Sequence, residues 1–421
     1  MGSFRSWFGA EDFVKVALVS HSVPPASGAQ PALIYRLLRD ADPESYCLIS
    51  QGIDETQVGR SDSSMRLPGR YRFVPPETEI APFKGGRGGR AVRALNIVPA
   101  LAQRTRRLLS ILRADECDVV VAMTGDLLNL PASFFASRFA RIPFIAYLCD
   151  YYSQQWVNSE YRVTARVLEP IVLKRAEGAI VLNEFMRDSL ARRFEIEPTL
   201  IRNPCDLSLY EGDGLGPRER DGDQAHIVYT GAVSPAQADA LQNLIRAVEL
   251  LDRGVAAVPH IYTGQSGETL AALGLRAGFV HHAHVPHQVV PSVQRQADIL
   301  FLPLAFRSPY PEIVRTSAPF KLGEYLASRR PILVHAPADS FLAWYFRRHD
   351  CGFVVTEDAP EKLAEAIGRL TADQPLQSEL VERAWQRAQT DFSVERARSD
   401  FFELAQQTIS ERSGGPRRTR W

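Results

Sequence analysis

Cysteine is sparse in this chain and scattered. The five that occur, Cys47, Cys117, Cys149, Cys205 and Cys351, are odd in number and include no C-x-x-C pair. That argues against a disulfide framework and a cysteine zinc site, and for a reducing compartment. Long apolar runs are missing too: none approaches the roughly 18 residues a membrane helix needs. The opening MGSFRSWFGAEDF lacks the apolar core of a signal peptide. The expectation is a cytoplasmic protein, one able to touch the inner face of the plasma membrane without crossing it. Excess charge of either sign is absent, since Lys+Arg and Asp+Glu both total 49. Net charge therefore gives no case for nucleic acid as a partner. Nor does the first strand-like run lead into G-x-G-x-x-G. It leads to HSVPPASGA, which speaks against a dinucleotide-dependent oxidoreductase.

What is present is alternation. The chain has 421 residues, 45% of them hydrophobic, a length that suits two or three domains. Short apolar runs at 13–21, 118–123, 143–150, at the start of 177–194 and at 198–204 are separated by helical patterns. The alternation stops at 211–224, EGDGLGPRERDGDQ, which is rich in Gly and charge. It then restarts at 226–231, 258–264, 279–285, 297–304 and 352–357. Helices are expected at about 359–371, 375–390 and 394–411. Strands apolar on both faces, alternating with helices, predict parallel sheets covered on both sides. The expectation is α/β: two doubly wound, Rossmann-like domains, 11–210 and 225–392. A helix over 393–411 turns back toward the first domain, and a disordered tail covers 412–421. Ligands in such sheets bind where strands end and helices begin, and a cleft between two domains is a natural site.

The stretch APFKLGEYLASRRPILV (318–334) is mostly apolar, yet it carries Lys321 and Glu324 three residues apart. Ser317 and Pro319 suggest that a helix starts there, which puts the two charges on one face. A helix start beside a strand end favours an anion. Lys321 adds positive charge, and the Glu324 carboxylate suits a vicinal diol such as a ribose. Diphosphate plus ribose describes a nucleotide. The alternative is an ordinary surface ion pair, worth about 0.2–0.5 kcal/mol.

SAPFKLGEYLASRRPIL (317–333) resembles the donor-binding motif of GT-B-fold, nucleotide-sugar-dependent glycosyltransferases of the retaining family 4, many of which build bacterial surface polysaccharides. IVYTGAVSPAQADALQNLIRAVELL, VPHQVVPSVQRQADILFLPL, AIVLNEFMRDSL and LIRNPCDL extend the resemblance in order along most of the chain. It implies transfer of a sugar from a UDP- or GDP-sugar to a glycan or polyprenyl-linked acceptor, with retention and without a metal or other cofactor. It implies that Glu324 holds the ribose and Lys321 the diphosphate. Gly231 and the loop to Pro235 would lie against the nucleotide, and Ser27, Gly28 and Ala29 would close over the phosphates. Three positions depart from the pattern. Thr316 stands where the family often has a first Glu, with Glu312 nearby but out of register. The loop AVSPAQADA after Gly231 lacks basic residues, leaving Arg315 and Lys321 to compensate beside Ser317. Arg329 stands where the helix usually ends in Gly, at a cost of about 1 kcal/mol if the backbone there is left-handed.

On the acceptor side, Asp150 ends the run PFIAYLCD and is the candidate for binding or activating an acceptor; a capping carboxylate is the alternative. Tyr151, Tyr152 and Trp156 could stack on a sugar or belong to the core. HHAHVPH (281–287) holds four histidines, but neighbouring strand residues point to opposite faces, so a shared metal is not expected. Segment 82–113 carries eight Lys/Arg and no acid. It is a candidate contact for anionic lipid or a polyprenyl phosphate, or else a solvated basic face.

Overall fold

The computed structural model describes residues 14–26, 28–51, 63–78, 89–156, 159–211, 224–251 and 256–414. The chain divides into two compact units, Met1–Ile201 with Ala397–Trp421, and Arg202–Arg396.

The first unit is built from β1 (Val16–Val19), α1 (Ala29–Leu38), β2 (Tyr46–Gln51), β3 (Arg70–Val74), α2 (Gly89–Ala114), β4 (Val119–Met123), α3 (Asn129–Ala140), β5 (Phe144–Leu148), α4 (Ser159–Leu173), β6 (Gly178–Val181), α5 (Glu184–Phe194) and β7 (Thr199–Leu200). Its seven strands lie in the order β3-β2-β1-β4-β5-β6-β7, all neighbours parallel. The central strands VALV, VVVAM and FIAYL are buried at every position, because helices cover both faces. The edge strand RYRFV is different. Arg70 and Arg72 share the buried Asp115 carboxylate, with N–O distances of 2.6 Å for both, and the Arg72 guanidinium holds that carboxyl well below the usual range.

The second unit runs β8 (Gln224–Thr230), α6 (Ala238–Glu249), β9 (Ala256–Tyr262), α7 (Gly267–Ala272), β10 (Val280–His282), α8 (Val290–Arg295), β11 (Ile299–Pro303), α9 (Pro311–Thr316), α10 (Lys321–Ala327), β12 (Ile332–His335), α11 (Phe341–His349), β13 (Phe353–Val355), α12 (Pro360–Ala372) and α13 (Gln374–Asp391). Its strand order is β10-β9-β8-β11-β12-β13. This repeats the doubly wound plan, so each unit is a parallel-sheet α/β domain, as the alternation predicts. In each sheet the order reverses once, between β1 and β4 and between β8 and β11. Crevices outside those strand ends are where such sheets bind ligands.

The last helix, α14 (Val394–Gly414), belongs to the first unit from Ala397 onward. Arg398 anchors it there: its Nε donates to the Leu37 carbonyl at 2.9 Å and its Nη2 to Asp40 at 2.7 Å. The other end of the linker differs from expectation. Residues from Arg202 cluster with the second unit, whereas the composition shift put the boundary after 210. The reason is local bonding: Cys205 N donates to the Phe392 carbonyl and Asn203 Nδ2 to the Ala318 carbonyl. The charged stretch 212–223 and the tail 415–421 lie outside the described residues.

Arg329 occupies the left-handed conformation, φ 57°, at the end of α10 where glycine would be strain-free. Its guanidinium carbon sits 3.9 Å from the centre of the Trp385 ring, and Nη1 lies 3.6 Å from Glu382. Stacking of this kind contributes about 0.5–1 kcal/mol or more, which offsets the roughly 1 kcal/mol of left-handed strain. Arg329→Ala keeps the strain and loses the stacking, so it is expected to destabilise by about 1 kcal/mol. Arg329→Gly relieves the strain and should be nearer to wild type in chemical denaturation. A glycine variant less stable than the alanine one would contradict this balance.

Candidate functional site

In the second unit the residues of the 317–333 stretch gather at the reversal between β8 and β11. One expectation needs correcting. The helix does not start at Ser317 and Pro319: α10 starts at Lys321, with Phe320 as its cap. Pro319 drives Ala318 out of the helical region, so the chain forms α9, breaks, and restarts. Ser317, extended at φ −64° and ψ 124°, ends α9 instead.

Lys321 lies across the turn that follows β8. Its Nζ is 3.8 Å from the centre of the Tyr229 ring, a cation–π contact. Burial pushes the ammonium down to about 7, against the opposing pull of Glu324. Directly beneath is Gly231, at φ 118°, where a Cβ would come within 3.1 Å of Nζ. The glycine thus meets two demands: a backbone conformation that side chains disfavour, and space for the lysine. The loop beyond it is braced. Tyr229 Oη donates to the Ala232 carbonyl at 2.5 Å, and Gln265 bonds both Val233 N and Val233 O. Gly323 lets the back of α10 close on Phe392 and Cys205, 2.9 and 3.1 Å from where its Cβ would stand.

Glu324, one turn along α10, is 8% exposed. Its Oε2 accepts from Gln294 Nε2 at 3.3 Å. The same amide nitrogen reaches Thr230 Oγ1 at 3.2 Å, while Gln294 Oε1 accepts from the Tyr210 hydroxyl at 2.7 Å. Tyr325 Oη accepts from Thr230 N at 2.9 Å. Sequence reasoning singled out Lys321, Glu324 and Gly231, which the structure brings together, but not Gln294, Tyr210 and Thr230, which carry no local signature. Of the remaining candidates, Arg315 pairs with Glu312 at 3.2 Å on α9. Thr316 is buried and donates its hydroxyl proton to the Glu312 carbonyl at 2.8 Å.

In the first unit a second cluster forms at the reversal between β1 and β4. Gln30, on α1, receives a hydrogen bond from Ser20 Oγ on its Oε1 at 3.0 Å and donates Nε2 to the Thr124 carbonyl. Thr124 Oγ1 accepts from Cys149 N and Asp150 N, at 3.0 and 3.4 Å. That ties the end of β4 to the end of β5 and fixes the backbone that presents Asp150. The Asp150 side chain is open at the surface, yet the protein mass around it raises its carboxyl to about 6 by desolvation. Gly28, φ 135°, precedes α1 with only Pro31 Cδ near its absent Cβ, at 3.7 Å. Ser27 lies outside the described residues, as do 85–88 of the basic GGRGGR stretch.

The aromatic residues after Asp150 belong to the core rather than to a sugar platform. Tyr151 and Tyr152 are buried, Tyr152 Oη donating to the Leu127 carbonyl. Trp156 packs edge-on against Tyr161 and donates to the Tyr152 carbonyl. The histidines of 281–287 do not converge either. His282 pairs across the sheet with His260, ring nitrogens 2.9 Å apart, and His260 stacks on His226. The basic helix α2 also turns inward in part: Arg104 is buried between Glu77, Asp126 and Asn129. No helix of the described residues is long and apolar enough to cross a membrane.

Residues 224–373 match the family described as Glycosyl transferases group 1. No curated protein matches the chain. Among solved structures, the HepE protein of Anabaena, in complex with UDP and glucose, is 16% identical. That alignment covers 94% of this chain and 100% of the other, with a TM-score of 0.66. Sucrose-phosphate synthase of Thermosynechococcus elongatus is 14% identical over 94% and 99% of the two chains, with a TM-score of 0.67. The lipopolysaccharide outer core galactosyltransferase WaaB, without ligand, is 13% identical over 94% and 99%, with a TM-score of 0.61. At these identities the structures speak for the fold, and the family match speaks for the second unit. The chain has the GT-B fold of these structures, and its residues 224–373 match the family of group 1 glycosyl transferases.

Proposed function

We propose that the protein transfers a sugar from a UDP- or GDP-sugar to a glycan or lipid-linked acceptor, with retention at the anomeric carbon, in the assembly of a bacterial surface polysaccharide. The observation that carries this reading is the arrangement of Lys321 over Gly231 with Glu324 one turn away, inside the segment that matches the glycosyltransferase family. Lys321 would meet the diphosphate and Glu324 the ribose hydroxyls. Breaking the glycosidic bond places negative charge on the leaving diphosphate, and a cation aimed at that charge lowers the barrier. Protein groups would supply that charge, with Lys321 foremost and Arg315 as its reserve, so the reaction needs no metal. In the first unit Asp150 would bind the acceptor or take its hydroxyl proton, and Gly28 would let the backbone approach phosphate. A cytoplasmic protein working on a polyprenyl-linked acceptor would touch anionic lipid through basic segment 82–113; vesicle sedimentation with and without anionic lipid tests that contact.

A second reading, a nucleotide-sugar-binding homologue without transfer activity or an epimerase on the same fold, is favoured by two features. The buried Thr316 spends its hydroxyl on the Glu312 carbonyl, and the loop 232–240 has no basic residue. One experiment separates these: binding and hydrolysis of UDP-, GDP-, ADP- and dTDP-sugars by wild type and Glu324→Ala. The expected result is selective binding, weakened at least tenfold in the variant, with slow release of nucleoside diphosphate. A loss of that size is what hydrogen bonds to a charged group predict, about 1.5–3 kcal/mol. Binding without turnover, even with lipid extract as acceptor, would favour the silent homologue. No nucleotide binding at all would overturn both readings.

A further inference from the structure

Gln294, on the short helix α8, is fully buried, 0% exposed. A buried primary amide must satisfy one oxygen and two N–H groups. Here the polarity of that accommodation is set at the carboxylate end. Glu324, as a carboxylate, only accepts, so it demands the amide nitrogen, and Gln294 Nε2 lies 3.3 Å from its Oε2. The second N–H goes to Thr230 Oγ1 at 3.2 Å. The amide oxygen is left facing the buried Tyr210 hydroxyl, which donates to it at 2.7 Å. Turning the amide over would set oxygen against carboxylate and N–H against the phenol. The phenol can accept as well as donate, so Glu324 selects the orientation of the amide and Tyr210 anchors its far end.

A carboxylate grips a vicinal diol only when its two oxygens face both hydroxyls together. A hydrogen bond to one oxygen from a rigid, buried donor fixes that rotation. We infer that Gln294, held by Tyr210, is a positioning residue that orients the Glu324 carboxylate, and that this relay is what lets the site choose a ribonucleoside diphosphate over its 2′-deoxy counterpart. The inference rests on the proposed nucleotide-sugar reading of the site. Tyr210 precedes β8 in the chain, and Gln294 lies on the short helix α8. Neither is part of the 317–333 stretch.

The test is isothermal titration of the full chain with UDP and 2′-deoxy-UDP, and with the corresponding GDP pair, for wild type, Gln294→Met, Tyr210→Phe and Glu324→Ala. Wild type is expected to prefer the ribonucleotide by about tenfold or more, as befits hydrogen bonds to a charged acceptor. Gln294→Met should bring that preference to within about twofold, by weakening the ribonucleotide and leaving the deoxynucleotide nearly unchanged. Tyr210→Phe should move it the same way by a smaller factor. A merely structural role would weaken both ligands equally. The inference is overturned if both variants, melting as wild type does, keep the full preference while Glu324→Ala loses it. If Glu324→Ala also keeps the preference, the ribose role of Glu324 falls and this inference with it. If wild type binds neither nucleotide pair, the failure lies with the proposed function.

Discussion

Lys321→Met is expected to lower kcat by about 10²–10³-fold, the range seen when a single group that stabilises developing negative charge is removed. Ground-state binding of the donor should weaken much less, because the charge on the leaving diphosphate grows only as the bond breaks. The pH dependence adds a sign. Burial holds the ammonium down at about 7, and the charged form is the useful one. In the free protein, kcat/KM should therefore fall as pH rises through about 7. A bound diphosphate favours the cation, so the same limb in kcat should appear at higher pH. Lys321→Arg keeps the charge at every pH and should remove the alkaline limb, although its planar fork does not reproduce the point charge over Gly231. A Lys321→Met variant turning over at wild-type rate would mean that the leaving group is stabilised elsewhere.

Asp150→Ala is expected to cut turnover by about 10²–10⁴-fold if the carboxylate takes the acceptor proton, with the affinity for the donor nucleotide unchanged. Desolvation raises this carboxyl to about 6, and a base must be ionised to act. Activity should therefore decline as pH falls through about 6. With the lysine limb, the kcat/KM profile becomes a narrow bell between about 6 and 7. Donor Kd by titration and single-turnover rates, measured on the same preparation, separate the two effects. Unchanged turnover in the variant would leave Asp150 as a loop residue whose backbone N–H donates to Thr124.

The alternation of buried strands and helices was legible because each element announces itself locally. VVVAM and ILFLP are apolar throughout, and parallel strands must be so when helices cover both faces. The edge strand RYRFV was not, since its arginines reach Asp115, which follows some forty residues later at the end of α2. The same distinction divides the site. Lys321 and Glu324 share one turn of one helix, so spacing alone brings them together. Gln294 meets Glu324 across 30 positions and Tyr210 across 84, and nothing in the neighbourhood of either residue foretells it. The break before α10 could have been inferred from Pro319, whose effect on Ala318 is a local rule. The burial of Tyr151 and Tyr152 could not, because an aromatic after a strand suits a core and a surface equally.

The return of α14 to the first unit bears on the order in which the protein is completed during synthesis. The second unit is one continuous stretch, Arg202–Arg396, and can close as soon as it leaves the ribosome. The first unit cannot. Its Leu37 carbonyl and Asp40 carboxylate wait for Arg398, 361 and 358 residues further on. Domains emerging N-terminal end first usually fold in that order. Here the earlier-made half is the last to be finished, and a nascent chain stopped short of Ala397 would carry a completed second half beside an unsealed first.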